Sequence, residues 1–295
     1  MLNPTGPSPE AESRLTFGVE LEFLLATLPE GDAKILADED SINHDIQRKL
    51  EEVGILATVK ESEFGNDNEV AANIATNWIL KTDCTVDPGK QSSNTRKYFE
   101  YGMEIISPPY YYDDASRRAV KTVVRTLRYN YLVRVNETTG LHVHVGNGYH
   151  GFEWPILRNF MAIAWTYERQ ILLLMPEIRL KNVCVALGTR NAGFNISNLA
   201  PPFRSTFGKR TIEFRQHPGT LDSEGILHWV HICVKLVEKA CHVKDEELFE
   251  RLRADVERPI GFGDENSVTT VRVEKRTKGA AEKTAMGGGH VVEFI

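Results

Sequence analysis

The sequence predicts an α+β domain built on a mainly antiparallel sheet. Segments of strict two-residue alternation, such as "TFGVELEF", are interspersed with segments of helical spacing, such as the valines and leucine of 120–127. Each alternating segment has one apolar and one polar face, whereas the strands of a parallel doubly wound sheet are apolar on both. At 295 residues and 41% hydrophobic content, the chain is long enough to bury one sizeable core.

Residues 1–13 are rich in Pro, Gly and Glu and read as a flexible N-terminal segment ahead of a domain spanning 14–257. "RLTFGVELEFLLA" (14–26) reads as a strand by its alternation. Ile42, Ile46, Leu50 and Val53 then recur at helical spacing, with Ser41 or Asn43 as the cap. "LATVKE" (56–61), "NWILKTDCTV" (77–86) and "KYFEYGMEIISPP" (97–109) read as strands, the last closed by Pro108 and Pro109. "YYYDD" (110–114) reads as a loop leading into a helix cap, and Val120, Val123, Val124, Leu127 and Tyr131 mark the helix it opens. The strand "GLHVHVG" (140–146) follows. A long helix is predicted over 153–174, with Trp154, Leu157, Met161, Ala164, Trp165 and Leu172 on or near one face. Trp154, Trp165 and Trp229 are accordingly expected to be packing residues. "NAGFNISNL" and "KRTIEFRQH" read as two further strands, and a helix from Ser223 to Ala240 continues as a charged extension to Glu257. Residues 258–295 show little apolar periodicity and read as a flexible C-terminal tail.

A formal net charge of −6 gives no electrostatic reason to expect nucleic acid or an anionic membrane as a partner. The four cysteines, Cys84, Cys184, Cys233 and Cys241, form no CxxC pair and have no metal-ligand spacing. No secretory leader is expected from the opening residues. The most apolar long stretch, near 154–175, is broken by Arg158, Glu168, Arg169 and Gln170, so no membrane span is expected either. A reduced, cytoplasmic setting is the expectation.

Four strands share an unusual polar face. Opposite Phe17, Val19, Leu21 and Phe23 stand Gly18, Glu20 and Glu22. Opposite Tyr101, Met103 and Ile105 stand Glu100, Gly102 and Glu104. Leu141, Val143 and Val145 oppose His142, His144 and Gly146, and Ile212 and Phe214 oppose Glu213, Arg215 and His217. Solvent faces of strands are commonly Thr- and Lys-rich and poor in Glu, so four faces of Glu, His, Arg and Gly ask for another account. Glu20, Glu22, Glu104 and Glu213 on neighbouring strands would repel unless neutralised, and one arginine cannot balance them. Two or more divalent cations could. Carboxylates with an imidazole suit Mg²⁺ or Mn²⁺ better than zinc, and carboxylate-held Mg²⁺ is most often completed by substrate phosphates. Arg215, two residues from Glu213, is placed to grip a phosphoryl oxygen. Neither "GTRNAG" nor "GKRTIEF" is a Walker A loop, which points away from a P-loop enzyme.

"GVELEF", "MEIISPP", "GLHVHVG" and "TIEFRQHPGTLD", in that order, resemble the amidoligase family, carboxylate–amine ligases related to glutamine synthetase and glutamate–cysteine ligase. The resemblance spans roughly residues 15–240, and "NWILKTDCTV" is similar to the family's Trp/Asp segment, with Cys84 where a small hydroxyl residue is expected. It implies a glutamine-synthetase-like catalytic domain whose antiparallel sheet cups the active site, helices on its other face. It also implies ATP, two or three Mg²⁺ or Mn²⁺ ions, and amide or isopeptide bond formation through an acyl phosphate. Carried over by position, Glu20 and Glu22 would each bind a metal, and Glu104 would share the metal of Glu22. His142 would bind a second metal with Glu20 and Glu213. His144 would face the nucleotide phosphates, and Arg215 would hold the transferring phosphate. "RNAGFN" makes Arg190 and Asn195 candidates for phosphate or substrate contact, and Asp83 would orient the amine. The partners implied are a small-molecule or peptide carboxylate and an amine. A further metal-binding glutamate of the larger ligases has no counterpart between Glu104 and His142.

Two other readings stand beside this one. The same Glu/His cluster could serve a metal-dependent hydrolase with an activated water, against which Arg190, Arg204 and Arg215 count. A non-catalytic relative could bind a nucleotide or metabolite, although such a protein has little use for so many costly like charges. His228 and His231, flanking Trp229, read as helix-surface residues. His217 either supports Glu213 or packs against Pro218.

Overall fold

The computed structural model describes residues 15–27, 39–60, 75–89, 99–148, 150–172, 193–196, 199 and 210–257. The segments 1–13 and 258–295, together with Cys184, Arg190 and Arg204, lie outside the described residues. The elements run β1 (Thr16–Thr27), α1 (Glu39–Glu51), β2 (Ala57–Val59), β3 (Trp78–Thr82), β4 (Phe99–Ile106), β5 (Tyr110–Tyr111), α2 (Asp114–Asn130), β6 (Leu132–Arg134), β7 (Gly140–Gly146), α3 (Trp154–Thr166), α4 (Glu168–Leu172), β8 (Phe194–Asn195), β9 (Thr211–Pro218), α5 (Ser223–His242) and α6 (Asp245–Glu257).

The strands form one sheet in the order β2-β3-β4-β1-β7-β9-β8, with β5 and β6 also pairing with β1. Every pairing is antiparallel except β2 with β3, so the fold is α+β, as predicted. β1 is the spine: Glu20–Thr27 pair with β4 and Thr16–Leu21 with β7, the two overlapping at Glu20 and Leu21. Its apolar set, Phe17, Val19, Leu21 and Phe23, is buried in one continuous core with Ile42, Ile46 and Leu50 of α1, Val120 and Val124 of α2, Phe160 of α3 and Trp229 of α5. The helices thus cover the apolar face and leave the Glu/His face on the other side.

Local chemistry fixes the ends of the elements. Asp113 caps α2 in a capping box: its carboxylate accepts from Ser116 N at 2.9 Å, and Asp113 N donates to Ser116 Oγ. Asp222 caps α5 by accepting from Glu224 N and Gly225 N. Several boundaries differ from expectation. α1 starts at Glu39, which puts Ser41 and Asn43 inside the helix, so neither caps it; Asn43 is buried instead. Val53 falls in the turn after α1 and is exposed. β3 stops at Thr82 because the Asp83 carboxylate accepts from both Thr85 N and Thr85 Oγ, folding the chain into a turn. The "YYYDD" loop contains the short strand β5.

The helix predicted over 153–174 breaks at Tyr167 into α3 and α4. Trp154 and Trp165 are 66% and 67% exposed, and only Trp229 of the three is buried. The core stripe of α3 is set by Phe160, Ile163 and Ala164; Trp165, two residues past Ile163, lies about 200° further round the helix. No helix among the described residues is long and apolar enough to cross a membrane.

Candidate active site

Register lines up the polar residues in rows across the sheet. Lys81 of β3 pairs with Glu104 of β4, which pairs with Glu22 of β1. In the next row Glu20 pairs with His142 of β7. In the third, Gly18 pairs with His144, His144 with Glu213 of β9, and Glu213 with Asn195 of β8. Glu20, Glu22, Glu104, His142, His144, Asn195 and Glu213 are all buried. The sequence placed all of them but Asn195 on one face, and the structure brings them together there, Asn195 included.

A β-bulge shapes the β9 side. Val143 pairs with Phe214 but Leu141 pairs with His217, so β9 carries one extra residue opposite His142. Arg215 and Gln216 therefore both lie on the site face. His217 is turned to the helix side, its ring 5.5 Å from that of Trp229 and its Nδ1 donating to Pro218 O at 2.7 Å. The expected alternation of Glu213, Arg215 and His217 on one face is corrected at its last member, and His217 packs instead of supporting Glu213.

Among the described residues, Glu20, His144 and Glu213 form a metal-competent group whose donor atoms lie within 4.8 Å of one another. His144 Nε2 is 2.9 Å from Glu20 Oε1 and 3.9 Å from Glu213 Oε1. Its Nδ1 shares a 3.0 Å hydrogen bond with the Thr211 hydroxyl, which orients the ring so that Nε2 faces the cluster. Glu213 is held at both oxygens: Asn195 Nδ2 donates to Oε2 at 2.8 Å, and Arg215 is ion-paired at Oε1. Burial pushes the Glu213 carboxyl up, but the His144 ring and the Arg215 guanidinium outweigh it and leave its pKa lowered. The group that converges is therefore built on His144, whereas the resemblance assigned that place to His142. His142 stands between two carboxylates of β1, its Nδ1 3.2 Å from Glu20 Oε2 and its Nε2 3.6 Å from Glu22 Oε1.

On the β4 side the carboxylates part. Glu22 turns toward β7, where its Oε2 accepts from Gly140 N at 2.7 Å. Glu104 turns the other way and meets Lys81 Nζ at 2.5 Å. Burial, then the charge of Glu20, push the Glu104 carboxyl up to about 7, with Lys81 pulling against them. Four residues before it on β4, Glu100 is gripped by Arg134 of β6 at 2.5 and 2.8 Å. Asp83 lies at the rim, its Oδ1 accepting from Thr85, and its charge is felt by Lys81 and Glu104. Arg190 lies outside the described residues.

Sequence reasoning missed Lys81, Thr211 and Gln216. Lys81 was legible in principle, since "WILKTD" alternates and puts Ile79, Lys81 and Asp83 on one side. Thr211 carried no signal beyond its place two residues before Glu213. Gln216 reaches the site face only through the bulge, which alternation does not foretell.

Residues 13–182 match a family model described as "Putative amidoligase enzyme", which is more than half of the chain and takes in β1 to β7. Glu213 and Arg215 lie beyond the matched residues. No curated protein matches the chain. Among solved structures, "Crystal structure of novel glutamine synthase homolog" is similar at 13% identity and a TM-score of 0.37, over 83% of this chain and 65% of that one. With the motifs of the first three site strands inside the matched residues, the chain belongs to the amidoligase family.

Proposed function

We propose that the chain is an ATP-dependent carboxylate–amine ligase that makes an amide or isopeptide bond through an acyl phosphate. The observation that carries this reading is the placement of Glu20, Glu22, Glu104, Glu213, His142, His144 and Arg215 on one face of a single sheet. Two buried carboxylates and an imidazole within 4.8 Å are a donor set that fits Mg²⁺ or Mn²⁺. Glu20, His144 and Glu213 would hold such an ion, which would neutralise phosphate charge.

The side chains supply the rest. Arg215 is anchored on Glu213 yet 29% exposed, so its guanidinium is fixed at the rim, where it meets a phosphoryl oxygen. A carboxylate oxygen of the acid substrate attacks the γ-phosphorus of ATP, the bond to the bridging oxygen breaks, and ADP leaves while Arg215 steadies the equatorial oxygens. The amine nitrogen then attacks the acyl carbon, inorganic phosphate leaves, and the nitrogen gives its proton to a carboxylate of the site. Asp83, at the rim of the same face, orients the amine.

Thermal unfolding with Mg²⁺, Mn²⁺ or chelator, each with and without ATP, tests this without knowledge of the acid or amine. The expected result is a rise in midpoint that needs metal and nucleotide together and disappears in Glu20→Ala and Arg215→Ala. A ligand at a hundred times its Kd stabilises by about 2.7 kcal/mol, enough to read. A rise with metal alone would turn the reading to a hydrolase, and no response in folded protein would overturn both.

A further inference from the structure

The carboxylates of the site face fall into two groups with different compensation. Glu20 and Glu213 converge with His144 into a group of three donors, and neither Glu22 nor Glu104 belongs to it. Glu22 is taken by a backbone N–H at 2.7 Å and by the His142 ring. Glu104, its cross-strand partner, points away from it to Lys81, 2.5 Å distant. These two carboxylates therefore do not converge on a common point between their strands.

Lys81 is positioned by register as well as by attraction. It pairs directly with Glu104 across β3 and β4, so its stem leaves the sheet on the site side whatever its charge does. Its ammonium is a compact point charge with three donors, the nearest side-chain equivalent of a small hard cation. Further along β4, Glu100 is ion-paired with Arg134 of β6. Glu104 is thus matched by a basic side chain, whereas Glu20 of β1 meets the imidazoles of β7.

We infer that Lys81 is a built-in cation of this site, standing at Glu104 in place of a second metal ion, so that the chain holds one divalent ion, at Glu20, His144 and Glu213. The inference rests on the metal-holding reading above and departs from the two or three ions that the family resemblance implies. An ion at Glu104 would have to displace a paired ammonium and then sit beside it, at a repulsion that the carboxylate alone does not offset.

The test is a count of Mn²⁺ bound per full-length chain, with free Mn²⁺ read by its paramagnetic resonance signal at pH 8. Wild type is expected to bind one ion. Glu104→Gln should leave number and affinity unchanged within about threefold, whereas Glu213→Gln should abolish binding. Lys81→Met, which frees Glu104 to turn back toward Glu22, its cross-strand partner, should bind two, and Lys81→Arg should return to one. Two ions on wild type, with one lost in Glu104→Gln, would overturn the inference while leaving the metal reading intact, and this arm does not depend on Lys81→Met folding. A folded Lys81→Met that still binds one ion would also overturn it. No Mn²⁺ on wild type or any variant would overturn the metal reading itself.

Discussion

Gly102 lies on the Glu/His face between Glu100 and Glu104, and the 83–87 turn lies directly over it. A Cβ there would stand 2.5 Å from Asp83 O and 2.5 Å from Val86 O, both backbone atoms that cannot swing aside. The missing side chain is what lets the loop carrying Asp83 close over the sheet. Gly102→Ala is therefore expected to destabilise by about 1–3 kcal/mol, the cost of overpacking, in urea titration. Gly18, on the same face, is a control: a Cβ would meet Ser107 Oγ at 3.6 Å, an ordinary contact, so Gly18→Ala should lie within about 0.5 kcal/mol of wild type. Comparable costs for the two would mean that space over Gly102 is not the constraint. Thr211 makes a second case. Its hydroxyl fixes the His144 ring without touching the other donors, so Thr211→Val should weaken Mn²⁺ binding about 10–100-fold with little change in stability. An unchanged affinity would mean that the ring is oriented by its packing alone.

At the scale of elements, β9 anchors the site from below. Phe214 follows Glu213 and faces the core, where its ring meets Phe160, Phe194 and Trp229 edge-on at 5.6, 5.5 and 6.3 Å. Glu213 and Phe214 are thus two faces of one strand, and Phe214→Ala is expected to cost about 3–5 kcal/mol in denaturant titration. A cost under about 1 kcal/mol would show that β9 is held by its ladder alone. The same strand marks how far the sequence could be read. Alternation correctly divided Glu20, Glu22, Glu104, His142, His144 and Glu213 from the core, because one buried face fixes register residue by residue. It failed at Gln216 and His217 because a bulge is a property of strand pairing and not of local spacing. Helical spacing misled at Trp154 and Trp165, where apolar character suggested packing but the buried stripe is set by Phe160 and Ile163. Which of the two histidines falls within the three-donor group was not legible either, since both lie on the same face of one strand.

The molecule as a whole sets one continuous apolar core against a face of buried charge, and the two make opposite demands on stability. Lys81, Arg134 and Arg215 answer part of that charge and the two imidazoles another part, but Glu104 retains a carboxyl raised from the ordinary 4.5 to about 7. The sign follows from where the proton sits. Between those two values the folded chain keeps on Glu104 a proton that the unfolded chain has released, so the group's contribution to stability falls as pH rises through that window. Glutamine at this position carries no such proton. In chelator, the stability of Glu104→Gln relative to wild type is therefore expected to increase steadily from pH 5 to pH 7.5, as read from paired urea titrations. A relative stability that stays flat over that range would place the Glu104 carboxyl at its ordinary value, with Lys81 neutralising it completely. An increase would mean that the fold carries this charge at a cost to stability, which is what a site kept for binding charged ligands rather than for folding entails.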